Sequence, residues 1–86
     1  MARLACCLLA FLLLLRAQSS DPARLAQHRN LGKAFYENPT TQKQSVQAFR
    51  LALALSPNSV REQVNYGLAL LRAGQTQLGI AELENL

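Results

Sequence analysis

The sequence has few of the residues that enzymes and metal sites use. It contains two cysteines, one histidine, one aspartate and no tryptophan. Both cysteines, Cys6 and Cys7, lie in an apolar run at the N-terminus, so the chain beyond that run has no disulfide and no thiol metal ligand. We therefore expect neither a metal site nor a cofactor.

A strong excess of charge is also missing. The net charge is +4, and it falls to about +2 when Arg3 and Arg16, which flank the apolar run, are subtracted. Basic and aromatic residues are not interleaved along the chain. Nucleic-acid binding needs a basic surface and usually aromatic platforms, so this class of partner is not expected.

The N-terminus has the pattern of a secretory signal peptide. Arg3 precedes twelve apolar residues, 4 to 15, and the small-residue sequence Ala17-Gln18-Ser19 follows. As a helix this run is about 18 Å long, shorter than the roughly 30 Å hydrocarbon core of a bilayer. We expect residues 1–19 to be a cleaved signal peptide, which gives an exported protein, periplasmic or extracellular, without a stable membrane span. The alternative is an uncleaved signal anchor that holds the chain at the membrane.

Helix signals follow one another through the remaining residues. Asp21 is a good N-cap and Pro22 suits the first helical position, so a helix is predicted to begin there. Asn38 before Pro39 ends it. A second helix is predicted over 42–55, capped by Thr40 or Thr41.

The same kind of signal predicts two further helices. Ser59 with Glu62 three residues later forms a capping box, and Gly74 is placed to end the third helix as its C′ residue. Thr76 is predicted to cap a fourth. Val64, Leu68 and Leu71 are expected to pack the third helix, and no alternating strand pattern occurs. The fold class is therefore predicted to be all-α.

The chain also resembles itself. The stretch "NLGKAF" at 30–35 matches "NYGLAL" at 65–70 at a spacing of 35 residues. A period between 20 and 50 residues indicates stacked structural repeats.

These residues resemble the tetratricopeptide repeat (TPR) family, whose unit is a 34-residue helix–turn–helix. Leu31-Gly32 and Phe35 match the first helix of the family's unit, while Ser45, Phe49, Ala52 and Pro57 match the second. The chain departs from the family's pattern by an extra residue around 38–41, by His28 where the family often has tryptophan, and by Tyr66 where it usually has leucine. The resemblance implies a repeat region over 20–86, with unit one at about 25–59 and an incomplete unit two at 60–86. The repeat-packing residues it implies are Leu31, Gly32, Phe35, Phe49, Ala52, Pro57, Gly67 and Gly74.

In this family the first helices of the units line a groove that holds a peptide or a partner helix. The resemblance therefore implies a protein or peptide partner. Asn30 and Asn65 share one repeat position, where an amide can donate to and accept from a peptide backbone. The groove positions that carry over are Arg29, Asn30, Lys33, Tyr36, Arg61, Val64, Asn65, Leu68 and Arg72.

Catalysis is not expected. His28 falls at a packing position between helices, and Glu62, Glu82 and Glu84 have the placement of a helix cap and surface residues rather than of a paired acid and base. The chain is predicted to be an exported interaction module or scaffold. The alternative is the N-terminal part of a longer exported enzyme whose repeats present substrate protein to a catalytic domain.

The second unit looks unfinished. The chain holds about one and three-quarter units, whereas about three are usually needed for a stable array. Leu83 and Leu86 are expected to lack packing partners at this end. This predicts a fragment or the start of a longer protein, and possible self-association through the unfinished repeat.

Overall fold

A computed structural model describes residues 21–86 of the chain. The expected signal peptide, residues 1–19, lies outside this part of the chain. Residues 21–86 form four helices and no strand: α1 (Pro22–Glu37), α2 (Gln42–Leu55), α3 (Val60–Arg72) and α4 (Thr76–Glu84). None of these four helices combines the length and hydropathy that crossing a membrane requires. The all-helical prediction is confirmed for the described residues.

The ends of α1 follow the sequence signals. The Asp21 carboxylate accepts hydrogen bonds from the N–H groups of Ala23, at 3.0 Å, and Arg24, at 3.2 Å. Pro22 occupies the first turn, where its missing N–H leaves no acceptor unpaired. The helix ends at Glu37, and the extended backbone of Asn38 leads into Pro39.

The ends of α3 are also as predicted. Ser59 Oγ accepts a hydrogen bond from the N–H of Glu62 at 3.3 Å. At the other end Gly74 has φ +82°, a left-handed conformation that glycine adopts without strain. Its N–H donates to Leu71 O at 3.1 Å, and the next N–H donates to Leu70 O at 2.9 Å. This is a Schellman turn, so Gly74 serves the turn rather than the packing of side chains.

Of two further predicted caps, one is right in position and one is wrong. Thr41 stands at the N-cap of α2, as predicted, but its hydroxyl donates to Phe35 O at 2.8 Å and makes no cap bond. That hydroxyl therefore ties the start of α2 to the end of α1. Thr76 is the first residue of α4, and Gln75 occupies the N-cap position without a side-chain cap bond. The reason is that the Schellman turn takes up Gln75 N–H, and the helix resumes immediately after it.

The helices pack as two pairs, α1 with α2 and α3 with α4, and α2 also packs on α3. The connections are short, so the helices of each pair run antiparallel. At the first crossing Gly32 lies against the ring of Phe49, where an added Cβ would be 2.6 Å from a ring carbon. Ser45 Oγ donates to Gly32 O at 2.9 Å across the same contact.

The second pair repeats this arrangement. An added Cβ on Gly67 would lie 2.8 Å from the Leu83 side chain, and one on Gly79 would lie 3.0 Å from Gly67 O. Gly67, Gly79 and Leu83 follow Gly32, Ser45 and Phe49 by 35, 34 and 34 residues. The packing of one helix pair thus recurs in the next. Leu83 is not unpaired as expected, because it fills the space over Gly67.

The core is small and consists of Ala48, Phe49, Ala52, Ala69 and Leu70. The packing residues implied by the family resemblance differ in exposure. Gly32, Phe49, Ala52 and Gly67 are buried, and Phe35 is half-buried. Leu31, Pro57 and Gly74 are exposed.

The prediction that Leu31 and Leu68 pack between helices is wrong, because both are largely exposed. Leu31 is 41% exposed because it lies outside the crossing that buries Gly32. Leu68 is 43% exposed because the buried side of α3 runs through Ala69 and Leu70 instead.

Candidate functional site

A cavity of about 210 Å³ lies open to solvent between α1 and α3. Residues from three helices line it: Lys33, Tyr36, Glu37, Phe49, Asn65 and Leu68. Phe49 is 3% exposed and forms the bottom, while Leu68 projects from α3. An apolar cavity with a few polar groups at its edge is the usual form of a binding site.

The cavity brings together part of the groove expected from the sequence. Lys33 and Tyr36 reach it from α1, and Asn65 and Leu68 reach it from α3. Asn30 and Arg61 are exposed and do not line it. The two asparagines of the repeat position are therefore not equivalent: Asn65 is half-buried at the cavity, and Asn30 is on the open surface.

Arg29 makes a contact within the chain. Its Nε donates to Glu62 Oε1 at 2.5 Å, which joins α1 to the start of α3. The Glu62 side chain is 1% exposed and that of Arg29 is 20% exposed. Glu62 was predicted as part of the capping box at the start of α3. Its N–H does bond the cap residue Ser59, but its carboxylate is buried.

The surroundings of Glu62 favour its charged form. The hydrogen bond from Arg29 is the main cause of the lowered pKa of Glu62, and Ser59 Oγ adds a second donor at 2.7 Å from Oε2. The same pair raises the pKa of Arg29. The repeat position equivalent to Glu62 is the uncharged Gln27, so no internal pattern in the sequence indicates this pair.

Arg72 makes a second link between α1 and α3. Its Nε donates to Tyr36 O at 2.7 Å, and its guanidinium lies 4.7 Å from the centre of the Tyr36 ring. A cation at the C-terminus of a helix bonds a carbonyl that has no partner within the helix. Arg29–Glu62 and Arg72–Tyr36 thus tie the two helices together on either side of the cavity.

The charge at the cavity is mixed. Lys33 and Glu37 stand four residues apart on α1, and both line it. The guanidinium groups of Arg29 and Arg72 are engaged with α3 and α1 respectively. The site therefore offers apolar surface and an amide rather than a basic patch selective for acidic segments.

No arrangement suited to metal binding is found among residues 21–86, where no three histidine, cysteine, aspartate or glutamate side chains cluster closely enough to hold an ion. The titratable side chains at the cavity itself are Lys33, Tyr36 and Glu37.

Comparisons with protein-family models, with curated proteins and with solved structures find no match to this chain. What the protein does must therefore follow from its own geometry.

Proposed function

We propose that this protein is an exported, non-catalytic interaction module of the tetratricopeptide-repeat type. The groove between α1 and α3 binds an extended peptide or a helix of a partner protein. The observation that carries the proposal is the cavity between these helices, with Phe49 at its bottom and Asn65 and Leu68 on one side. The recurrence of the Gly32–Phe49 crossing as Gly67–Leu83 supports the repeat-type arrangement.

The volume of the cavity sets what it can take. Ligand pockets for small molecules are usually about 300–1,000 Å³, which is larger than this one. A cavity of about 150 Å³ holds a benzene molecule. At about 210 Å³, the site fits one leucine, methionine or phenylalanine side chain of a partner.

The polar edge complements such a side chain. The Asn65 amide carries donors and an acceptor, so it can bond both groups of a partner's peptide unit beside the inserted side chain. This contact holds the backbone without reading the sequence, while the apolar cavity selects the anchoring residue. The groove is thus suited to short segments with one large apolar residue.

The two asparagines supply a matched test. Peptides on an array, each with a single leucine, methionine or phenylalanine in a polar background, are screened against the full chain, and the affinity of the best binder is measured. Asn65→Ala should weaken binding by at least about fivefold, because it removes two hydrogen bonds of about 0.5–1.5 kcal/mol each. Asn30→Ala should leave the affinity within about twofold.

Other outcomes contradict the proposal in distinct ways. Equal losses for both variants would favour an asparagine ladder that extends outside the cavity. An unchanged affinity for Asn65→Ala would show that the Asn65 amide takes no part in binding. Absence of binding by any apolar-anchored peptide would remove the groove function itself.

A further inference from the structure

The cavity between α1 and α3 is short along the helix axes. On α1 its lining residues run from Lys33 to Glu37, which is about 6 Å along the helix. On α3 they are Asn65 and Leu68, one turn of that helix. A helix that docks in a groove usually inserts residues at i, i+4 and i+7, which span about 10 Å. The cavity is too short for such a row of anchors and takes one.

The amide of Asn65 gives a second reason for an extended partner. Within a helix the N–H and C=O groups of the backbone bond one another, so a helical partner offers the amide few free groups. An extended segment leaves both kinds of group unpaired. Asn65 is half-buried at the cavity and carries donors and an acceptor for them. The bound form that fits is therefore an extended segment lying along the groove.

Two charges of opposite sign stand at the edge of this cavity. Lys33 and Glu37 both line it, and both are exposed. Among residues 21–86 the one ion pair joins Arg29 to Glu62, so Lys33 and Glu37 are not paired with each other. Glu37 is also the last residue of α1, where a carboxylate lies at the negative end of the helix dipole. Its charge therefore does not stabilise α1 and is open to a partner.

The spacing of these two charges suits the residues around an anchor. In an extended segment the residues two before and two after the anchor point to the same side as the anchor, and they lie about 13 Å apart. The backbones of Lys33 and Glu37 are about 6 Å apart along α1. Each side chain has to cover only about half of the difference, which is within the reach of the flexible stem of a lysine.

Building on the proposed groove function, we propose that the partner segment is extended and carries one acidic and one basic residue, two positions on either side of its apolar anchor. The acidic residue meets Lys33 and the basic residue meets Glu37. A given order of charges then fixes the direction in which the segment lies, and segments with like charges on both sides are disfavoured. The groove thus selects a charge pattern as well as the size of the anchor.

Five short peptides titrated against the full chain test this pattern. Each has one apolar anchor in a glutamine and serine background, and the positions two before and two after it carry acid and base, base and acid, two acids, two bases, or no charge. The tighter of the two mixed peptides should bind at least about threefold more tightly than either like-charged peptide at about 50 mM salt, because one exposed pair changes from attraction to repulsion. The difference should shrink at about 500 mM salt, where exposed charges are screened.

Charge reversal at the cavity should switch the preferred peptide. Lys33→Glu leaves two carboxylates there, so the peptide with two bases should become the tightest binder. Glu37→Lys should instead favour the peptide with two acids. The matched control is Lys43→Glu, which makes the same change of net charge at an exposed residue of α2 outside the cavity and should keep the preference for a mixed peptide. All three positions are exposed, so the variants are expected to fold.

The contrary results are distinct. Equal affinities for all five peptides would overturn the charge pattern and leave the groove function standing. A preference of the unmodified chain for two acids would show that the surrounding cations, Arg72 among them, outweigh Glu37, which also overturns it. A Lys43→Glu variant that switches as Lys33→Glu does would mean that net charge alone decides. Absence of binding by every peptide, the uncharged one included, would remove the groove function itself.

Discussion

Glu62, in the first turn of α3, connects this helix both to α1 and to the turn that precedes α3. Its carboxylate accepts from Arg29 of α1 and from the hydroxyl of Ser59, and its N–H donates to that same hydroxyl oxygen. A carboxylate removed from water is tolerated only when it is paired and hydrogen-bonded. Glu62 therefore fixes the start of α3 relative to α1.

This pair predicts how stability depends on pH. The pKa of Glu62 is lower in the folded chain than its ordinary value of 4.5, chiefly because of the hydrogen bond from Arg29. Its contribution is therefore fully present above about pH 4.5 and is lost as the pH falls through the folded pKa. Glu62→Gln should lower the free energy of unfolding by about 2–3 kcal/mol at pH 7, below the usual range for fully buried pairs because Arg29 is partly exposed. Urea unfolding between pH 7 and pH 2 measures the difference, which should shrink below pH 4.5.

The control is a carboxylate without such a partner. Glu84 is exposed near the end of α4, so Glu84→Gln should change stability by less than about 0.5 kcal/mol at every pH. A Glu62→Gln difference that stays constant from pH 7 to pH 2 would show that the charge of this residue does not stabilise the fold.

At the scale of helices, the crossings depend on residue size. Gly32 and Gly67 each admit a large side chain from the facing helix, Phe49 in one pair and Leu83 in the other. On that facing helix, Ser45 bonds Gly32 O in the first pair, but its counterpart Gly79 has no side chain to do so. Small size is therefore the shared requirement, and the hydroxyl of Ser45 is an addition in one pair only.

A double-mutant cycle tests the first crossing. Gly32→Ala places a Cβ within 3 Å of the Phe49 ring, so we expect a loss of about 1–3 kcal/mol from overpacking despite the better helix propensity of alanine. Phe49→Leu alone should cost about 1 kcal/mol. The double variant should be more stable than the sum of the two losses implies, because leucine leaves room for the added methyl group. Additive losses, measured by urea unfolding, would mean that these two residues do not share the crossing.

The ends of helices could be predicted from the sequence where nearby residues determine them. The α2 bounds follow from Asn38-Pro39 before it and Ser56-Pro57 after it, because proline removes helical options from its neighbours. The sequence predicted Thr41 as the N-cap of α2, but neither its missing cap bond nor the start of α4 at Thr76 could be predicted. The hydroxyl of Thr41 has a carbonyl of α1 as an alternative acceptor, and the Schellman turn at Gly74 decides where α4 begins.

At the scale of the whole molecule, the site was only partly predictable. Lys33, Asn65 and Leu68, which repeat position assigns to the groove, line the cavity between α1 and α3, and their role in binding stays a prediction. Repeat position also assigned Arg29 and Arg72 to the groove. In the structure they bond Glu62 and Tyr36, which lie 33 and 36 residues away along the chain. Pairing over such distances depends on how the helices stack, and a repeat pattern alone does not contain it.

The same two arginines have a consequence for binding. They hold α1 and α3 together on either side of the cavity, so the groove exists before a ligand arrives. A preformed groove loses less conformational freedom on binding than one that must assemble around its ligand. If the groove binds as proposed, short apolar-anchored segments are expected to need no second site.

The most direct measurement is a map of amide chemical shifts in the ¹⁵N-labelled chain during titration with an apolar-anchored peptide from the array. The account predicts that shift changes concentrate on Lys33, Tyr36, Asn65 and Leu68, with little change at Leu78 and Ile80 on α4. Changes confined to α4, or absent at the four cavity residues when the peptide is saturating, would contradict a binding role for the groove.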